Sequence, residues 1–347
     1  MNARREPDEG AGGDRQDRQD RQDRQAREQD GPGPNQGRRD QGDRRRWEPP
    51  GRPARDLLDT LGRTVAGRDW DRRAARGLAF LRRRITGEYE VDEFGFDLDL
   101  TENVLLGMVR PLYEKYFRVE TRGIDQVPDK GGALIVANHA GTLFPLDALM
   151  TQVALWDHHP ARLHLRMLAA DLVFTLPFVS DLARKAGHTL ACVPDAERLL
   201  LAGETVGVWP EGFKGIGKPY SERYRLQRFG RGGFVAAALR TGTPIIPTAI
   251  VGAEEIYPKI GDIRPLARLL GLPYFPVTPT FPWLGPLGLV PLPSKWYIAF
   301  GEPIETAKFD PSAADDPMLV FNLADQVRET IQDTLYRLLV QRRSVFF

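Results

Sequence analysis

The sequence predicts an α/β protein with a mixed, largely parallel sheet flanked by helices, N-terminal amphipathic helices and a C-terminal helix. Three observations indicate this fold. Short apolar runs typical of buried strands recur at 133–137, 205–209 and 245–251. Segments with apolar residues at helical spacing separate these runs, an alternation typical of parallel strand pairs. Near the end of the chain, apolar residues recur at helical spacing from Leu319, behind Asp316-Pro317.

Residues 1–53 differ in composition from the rest of the chain. The triplet Asp-Arg-Gln occurs four times from Asp14 to Gln25, and almost no apolar residue precedes Trp47. Such a segment cannot bury enough apolar surface to offset the entropy lost on ordering. We therefore expect a disordered, low-complexity tail. It is followed by a helical N-terminal region (54–117), an α/β domain (118–310) and a C-terminal amphipathic helix (311–347).

The helical N-terminal region contains a basic amphipathic segment. Apolar side chains at helical spacing, including Leu78, Leu81 and Ile85, are surrounded by arginines at positions 72, 73, 76, 82, 83 and 84. Such a helix can lie on an anionic bilayer, or the arginines can form an ordinary solvated face. Further on, Thr101 is predicted to cap the N-terminus of a second helix.

The α/β domain is predicted to alternate strands and helices along the chain. Predicted strands lie at 116–122, 133–137, 163–169, 190–193, 205–209, 245–251 and 296–300, and predicted helices at 146–155, around Leu182, at 196–201 and at 234–239.

Charge, cysteine content and hydropathy limit the class of protein. The formal net charge is +1, so no global field favours nucleic acid as a partner. Cys192 is the single cysteine, which excludes an internal disulfide and a site of several cysteine ligands. The sequence has no run of about 18 apolar residues and no N-terminal signal pattern. We therefore expect a cytoplasmic protein, peripheral on the inner face of the cell membrane.

A histidine follows the predicted strand 133–137. His139 lies in a turn with Gly141 and Pro145, and Asp147 comes shortly afterwards. Loops at strand ends are where rigid scaffolds present catalytic groups, and a carboxylate can orient a histidine that acts as a general base. The alternative is a turn histidine that caps the following helix.

A second group of polar residues follows the predicted strand 205–209. Glu211 and Gly212 lie in the turn, and basic residues follow among glycines: Lys214, Lys218, Arg223, Arg225, Arg228 and Arg231. Such a cluster can bind phosphate, for instance on coenzyme A, an acyl carrier or a lipid head group. It can equally be a charged surface loop.

A long apolar segment, Leu269 to Leu292, contains prolines and glycines throughout and almost no charge. It cannot form a long helix or a regular strand. Its aromatic residues Tyr274, Phe281 and Trp283 suit a lipid–water interface. The segment either contacts lipid or packs on the core.

Three blocks, in order, resemble those of the glycerolipid acyltransferase family, which includes the 1-acylglycerol-3-phosphate acyltransferases. They are Asn138-His139 with a downstream aspartate, Val208–Gly212 and Ile245–Ile250. The resemblance covers about Arg118 to Pro303. It implies an acyltransferase domain over 118–310.

The resemblance also implies roles for individual residues. His139 would be the general base that deprotonates the acceptor hydroxyl, and Asp147 would be its partner. The Pro210-Glu211-Gly212 block would help to bind the acceptor, and Lys214 falls where an arginine is usual. We add Arg228 and Arg231 from the basic cluster as candidate substrate-binding residues.

Two features depart from the family pattern. Seven residues separate His139 from Asp147 where four are usual, so the segment between them must loop out. The strand near Cys192 lacks the arginine that often binds an acceptor phosphate, and Arg198 on the next helix is the nearest. The longer spacing, together with Thr280–Leu289, looks more like the branch related to monoacylglycerol and diacylglycerol acyltransferases.

The function predicted from the sequence is therefore acyl transfer from acyl-CoA or an acyl carrier protein to a hydroxyl of a glycerolipid or lysophospholipid. The expected partners are the acyl thioester donor, the lipid acceptor and a membrane surface, without nucleic acid. No metal and no resident cofactor are expected, because the thioester supplies the driving force. Two alternatives stay open: a neutral-alcohol acyltransferase of the diacylglycerol, wax or phytyl ester type, and a non-catalytic lipid-binding protein.

Overall fold

The computed structural model describes residues 70–230 and 232–347. The tail predicted at 1–53, the start of the predicted helical region and Arg231 lie outside the described residues.

In the described part of the chain, a seven-stranded sheet has the spatial order β1-β9-β6-β2-β5-β3-β4, and β7 and β8 form a separate two-stranded sheet. Neighbouring strands of the large sheet are parallel, except that β6 and β9 are antiparallel. This confirms the predicted mixed, largely parallel α/β fold. The strands are β1 (Glu120–Arg122), β2 (Ala133–Ala137), β3 (Leu165–Ala169), β4 (Thr189–Leu190), β5 (Thr205–Val208), β6 (Ile245–Val251), β7 (Gly261–Asp262), β8 (Pro276–Val277) and β9 (Tyr297–Phe300).

Helices pack on both faces of this sheet. The α-helices in the described part of the chain are α1 (Trp70–Thr86), α2 (Leu98–Leu100), α3 (Leu106–Pro111), α4 (Leu146–His158), α5 (Asp171–Thr175), α6 (Val179–Lys185), α7 (Val193–Leu201), α8 (Gly212–Ile216), α9 (Gly233–Thr241), α10 (Arg264–Leu269) and α11 (Pro317–Gln341).

The central strand β2 is buried along its whole length, between β5 and β6. Alternate side chains of a strand point to opposite faces of a sheet. Leu134 and Val136 accordingly pack in the core with α9 and α11, whereas Ile135 packs in the core with α4. An apolar run without polar alternation is typical of such a doubly covered strand.

Helix α11 covers one face of the sheet with residues spaced four apart. Leu323, Val327, Ile331 and Leu335 are all buried, as the amphipathic pattern predicts. Asp316 caps the helix, since its carboxylate accepts hydrogen bonds from the N–H groups of Met318 and Leu319.

The N-terminal cap predicted for Thr101 is wrong. Asp97 occupies that position, and its carboxylate accepts a hydrogen bond from the N–H of Leu100. Thr101 is buried, and its hydroxyl donates to the carbonyl of Lys185 instead. Asp97 has the extended backbone of an N-cap, with φ −109 and ψ 93, whereas Thr101 has helical angles, φ −63 and ψ −49.

Two arginines on the basic face of helix α1 form half-buried ion pairs. Arg84 pairs with Asp97, and Arg83 pairs with Asp99. These contacts join α1 to the first turn of α2 and its N-cap. Leu78 and Ile85 of the same helix are exposed.

Two predicted strands differ most from the bounds that the apolar pattern indicates. Residues 112–116 form a π-helical turn, so the first strand is restricted to Glu120–Arg122. The strand predicted at 190–193 ends at Leu190, because Val193 begins α7 with Pro194 in its first turn.

Candidate active site

The carboxyl ends of three neighbouring strands meet at one edge of the sheet. His139 follows β2, Glu211 follows β5, and Glu254 follows β6. Because β2 is parallel to both of its neighbours, these turns lie side by side. Ligands of open α/β sheets bind at this edge.

His139 and Asp147 form a hydrogen-bonded pair at that edge. The Nδ1 atom of His139 lies 2.7 Å from Oδ2 of Asp147. The carboxylate of Asp147 is fully buried, whereas the side chain of His139 is 14% exposed. A carboxylate that accepts the Nδ1 proton leaves Nε2 free to accept a proton from a hydroxyl.

The segment between His139 and Asp147 loops out, as the long spacing requires. Gly141 has φ +120, and a Cβ atom there would lie 2.4 Å from the carbonyl oxygen of Phe144. The N–H of Phe144 donates to the carbonyl of Gly141 at 2.9 Å and closes the turn. Helix α4 then begins at Leu146, which returns Asp147 to the histidine.

Further main-chain contacts hold the turn in place. Oδ2 of Asp147 also accepts the N–H of Ala140 at 2.9 Å. Asn138 is buried and exchanges two hydrogen bonds with the main chain of Ile250 in β6, at 2.9 and 2.7 Å. The turn is thus anchored to both α4 and β6.

Glu211 lies beneath the turn. Its Oε1 accepts the N–H of His139 at 2.9 Å, and its Oε2 accepts the N–H of Gln227 at 2.6 Å. The side chain of Glu211 is 0% exposed, so its contacts fix the turn from inside. Close packing here depends on Gly215, because a Cβ atom would lie 2.6 Å from Cβ of Glu211 and 3.0 Å from the carbonyl oxygen of His139.

The basic residues predicted after β5 separate into different environments. Lys214 is exposed on α8, close in sequence to Glu211 and Gly212. Arg228 is also exposed, and its guanidinium lies 5.9 Å from the ring of Phe321 on α11. Arg231 lies outside the described residues. The structure therefore brings His139, Asp147 and Glu211 together and leaves Lys214 and Arg228 on the surface.

Lys218 does not have the phosphate-binding environment that the cluster indicated. It is buried, and its Nζ lies 3.3 Å from Oε2 of Glu211 and 3.1 Å from Oε1 of Glu254. Two carboxylates already neutralise this ammonium, so the expectation that it binds phosphate is corrected. Its partner Glu254 was missed in the sequence, although carboxylates shortly after a strand are a recognisable signal.

Burial raises the pKa of Glu254 to about 7, against the opposing charge of Lys218. Glu211 raises this pKa further, and Arg223 and Lys259 line the same small cavity as Glu254. A carboxyl with a raised pKa binds its proton more tightly in the folded state. Its stabilising contribution is therefore complete below the ordinary pKa near 4.5 and is lost as pH rises through about 7.

We expect this loss to be visible in urea unfolding. The free energy of unfolding of the parent, relative to that of Glu254→Gln, should fall between pH 4.5 and 7 by an amount on the order of 3 kcal/mol. The amide does not titrate, so the variant supplies the reference at each pH. A constant difference across this range would show that Glu254 titrates alike in the folded and unfolded chain.

Across residues 74–230 and 232–347, no cluster of three or more His, Cys, Asp and Glu side chains is placed to hold a metal ion. None of the helices in the described part of the chain combines the length and hydropathy needed to cross a membrane.

A mixed α/β sheet with a His–Asp pair at its carboxyl edge is suited to activating a hydroxyl group. The sequence model of the acyltransferase family matches residues 118–251. The chain belongs to the acyltransferase family, which confirms the resemblance drawn from the strand-end blocks and makes the protein an enzyme.

Two mycobacterial proteins are similar to this chain in sequence, and one solved structure is similar to it in fold. An uncharacterized protein of Mycobacterium tuberculosis is 61% identical over 268 residues, 77% of this chain and 75% of the relative. A second, from Mycobacterium leprae, is 60% identical and covers 77% of this chain and 73% of the relative. The crystal structure of the 1-acyl-sn-glycerophosphate acyltransferase PlsC from Thermotoga maritima gives a TM-score of 0.48 at 18% identity, covering 84% of this chain and 98% of that chain.

Proposed function

We propose that the protein transfers a fatty acyl group from acyl-CoA or an acyl carrier protein to a hydroxyl of a glycerolipid or lysophospholipid. The observation that supports this most directly is the His139–Asp147 pair, 2.7 Å apart, with the histidine ring partly exposed and the carboxylate buried. Such a pair provides an oriented general base next to substrate.

The reaction proceeds without a covalent enzyme intermediate. Nε2 of His139 takes the acceptor's hydroxyl proton as the oxygen attacks the thioester carbonyl carbon. The C–O bond forms, and the tetrahedral intermediate collapses with cleavage of the C–S bond. The imidazolium returns its proton to the leaving thiolate, which restores the neutral ring. Asp147 stabilises the imidazolium in between.

The exposed cations after β5 support a phosphate-bearing acceptor. Lys214 and Arg228 are on the surface near the Glu211 turn and are available for charge-assisted contacts. A neutral acceptor is the second candidate, because two other cations are already paired. Arg198 pairs with Glu93, and Lys218 is buried between carboxylates.

The experiment is an acyl-CoA assay with a panel of acceptors that includes lysophosphatidate and diacylglycerol. We expect lysophosphatidate to be preferred, and Lys214→Met to raise its KM without changing that for diacylglycerol. Lys308→Met is the matched control, since Lys308 is an exposed lysine near the opposite edge of the sheet. Equal effects on both acceptors would assign Lys214 to the acyl donor, and a preference for diacylglycerol would establish the neutral acceptor.

The apolar segment supports action at a membrane surface. Residues 269–293 contain no Asp, Glu, Lys, Arg or His. Trp283 and Leu287 are 68% and 72% exposed. The segment adjoins the catalytic turn, because the hydroxyl of Tyr274 donates to the carbonyl of Thr142 at 2.6 Å. Exposed apolar residues beside a site for lipid fit a peripheral membrane contact.

Trp283→Ser combined with Leu287→Ser is expected to weaken binding to phospholipid vesicles by roughly 10²-fold, since each buried apolar side chain contributes about 1.5–3 kcal/mol. Co-sedimentation with vesicles measures the effect. Val340→Ser, which removes an 87% exposed apolar residue on α11, is the control. Unchanged vesicle binding of the double variant would place the membrane contact elsewhere.

A further inference from the structure

A series of buried charged side chains extends from the turn that carries His139 into the protein. The main-chain N–H of His139 donates to Glu211 at 2.9 Å. The other carboxylate oxygen of Glu211 lies 3.3 Å from Nζ of Lys218, which lies 3.1 Å from Glu254. The side chains of Glu211, Lys218 and Glu254 are 0%, 4% and 5% exposed.

All three N–H donors of Lys218 are used within this series of buried groups. An ammonium has three N–H donors. Those of Lys218 are directed at Glu211, Glu254 and the carbonyl of Arg225, the last at 3.2 Å. No donor remains for a substrate, so any effect of Lys218 on catalysis must pass through its partners.

The same groups fix the loop between α8 and α9. The N–H of Tyr224 donates to Glu254 at 3.0 Å, and the N–H of Gln227 donates to Glu211 at 2.6 Å. These bonds hold the main chain directly before Arg228. One buried cluster therefore connects the end of β6, the loop between α8 and α9, and the turn that carries His139.

We propose that Lys218 and Glu254 are positioning residues for acyl transfer, because they fix the Glu211 carboxylate that holds the main chain of His139. The proposal rests on the proposed function in that His139 acts as the general base. His139 is held at two points, its ring by Asp147 and its main chain by Glu211. Lys218 holds the Glu211 carboxylate that makes the second of these contacts.

Removing the ammonium leaves Glu211 and Glu254 facing each other across the vacated position. Two buried carboxylates without a counter-ion repel each other, and breaking such a cluster is unfavourable. Either the pair takes up a proton or one carboxylate moves. Both changes weaken the acceptor of the His139 N–H, and a displacement of about 1 Å in an active site can cost roughly 10²-fold in rate.

The test begins with Lys218→Met in the full chain. We expect kcat to fall about 10- to 100-fold, with KM for the acceptor changed less than the rate. The ring signals of His139 in an NMR titration should shift, assigned by comparison with His139→Ala. Lys295→Met is the matched control, because Lys295 is also a mostly buried lysine paired with a glutamate, at 2.8 Å from Glu120 of β1, away from the turn that carries His139. It should leave the His139 signals in place.

A second variant separates positioning from general stability. Lys218→Met with Glu254→Gln removes one positive and one negative side chain, so the formal charge of the cluster is unchanged. Thermal stability should recover towards that of the parent, because the cluster regains the parent's formal charge and Glu211 no longer faces a second buried carboxylate. The proposal requires kcat to stay low, since the contact between Lys218 and Glu211 is still missing. A stable double variant with the parent's kcat and His139 signals overturns it.

Failure of this proposal is distinguishable from failure of the proposed function. If the parent does not transfer acyl groups through His139, the proposed function fails. The NMR measurement still decides whether Lys218 positions the histidine, because that readout needs no substrate. Unshifted His139 signals in Lys218→Met, in a parent that is active through His139, overturn the positioning role alone.

Discussion

His139→Ala is expected to keep the fold and to lose acyl transfer by roughly 10²–10⁴-fold, the contribution typical of a general base. The fold should persist because Ala keeps the main-chain N–H that donates to Glu211. The buried carboxylate of Asp147 keeps the N–H donors of Ala140 and Ala148 when the ring is removed. Initial rates with acyl-CoA and thermal unfolding of the purified variant measure the two effects.

His158→Ala is the control for this substitution. His158 is exposed at the end of α4 and packs against Tyr113, away from the turn that carries His139. It should retain the parent's rate. If His139→Ala transferred acyl groups at the parent's rate, the histidine would have only a structural role, and the general-base mechanism would be excluded. A parent without any transfer would favour the non-catalytic lipid-binding alternative.

The sheet could be predicted because its strands are local features of the sequence. The segment 133–137 is apolar throughout and 245–251 is apolar except for Thr248, and the structure gives both as fully buried strands. Their neighbours along the chain are helical, which leaves parallel pairing as the natural arrangement. The position of His139 at the carboxyl edge follows directly, because it adjoins β2.

The closure of the His–Asp pair was harder to predict. Seven intervening residues do not by themselves return Asp147 to His139, and the turn at Gly141 is what does so. That turn requires backbone conformations, φ +120 at Gly141 and φ 43 at Thr142, which the sequence does not specify at a non-glycine residue. The spacing implies that residues 140–146 form a loop. Whether that loop brings Asp147 to His139 depends on the backbone angles at Gly141 and Thr142.

The environment of Lys218 could not be predicted from the sequence. A lysine among glycines and arginines reads as a solvated cation, and its partner Glu254 lies 36 residues further along the chain. Sequence shows which groups are charged, whereas tertiary folding decides which charges meet. The same limit applies to Thr101, which has helical backbone angles, so that Asp97 caps the helix instead.

Asp147→Asn is expected to lower kcat by roughly 10²–10⁴-fold, because the substitution reverses the tautomer of His139. In the parent, Oδ2 accepts both Nδ1–H of His139 and the N–H of Ala140, while Oδ1 accepts the N–H of Ala148 at 2.9 Å. A carboxylate accepts at both oxygens, whereas an amide has one oxygen and one donor group.

Either orientation of the amide in Asp147→Asn leaves a mismatch. With its oxygen towards Ala148, the NH₂ group faces His139 and Ala140. Nδ1 must then accept, so Nε2 carries the proton and cannot act as a base. With the oxygen towards His139, the NH₂ group faces the N–H of Ala148. An unpaired buried donor costs about 1–3 kcal/mol, so the variant should also unfold at a lower temperature.

The ¹⁵N chemical shifts of the His139 ring report directly which nitrogen carries the proton. We expect a shift from the Nδ1–H to the Nε2–H form in Asp147→Asn, together with the loss of rate. Asp157→Asn is the matched control, because Asp157 lies on the same helix and pairs with Arg110 at 2.6 Å on the surface. If Asp147→Asn keeps both the tautomer and the rate of the parent, Asp147 serves only to begin α4. The base at His139 then works without an orienting carboxylate.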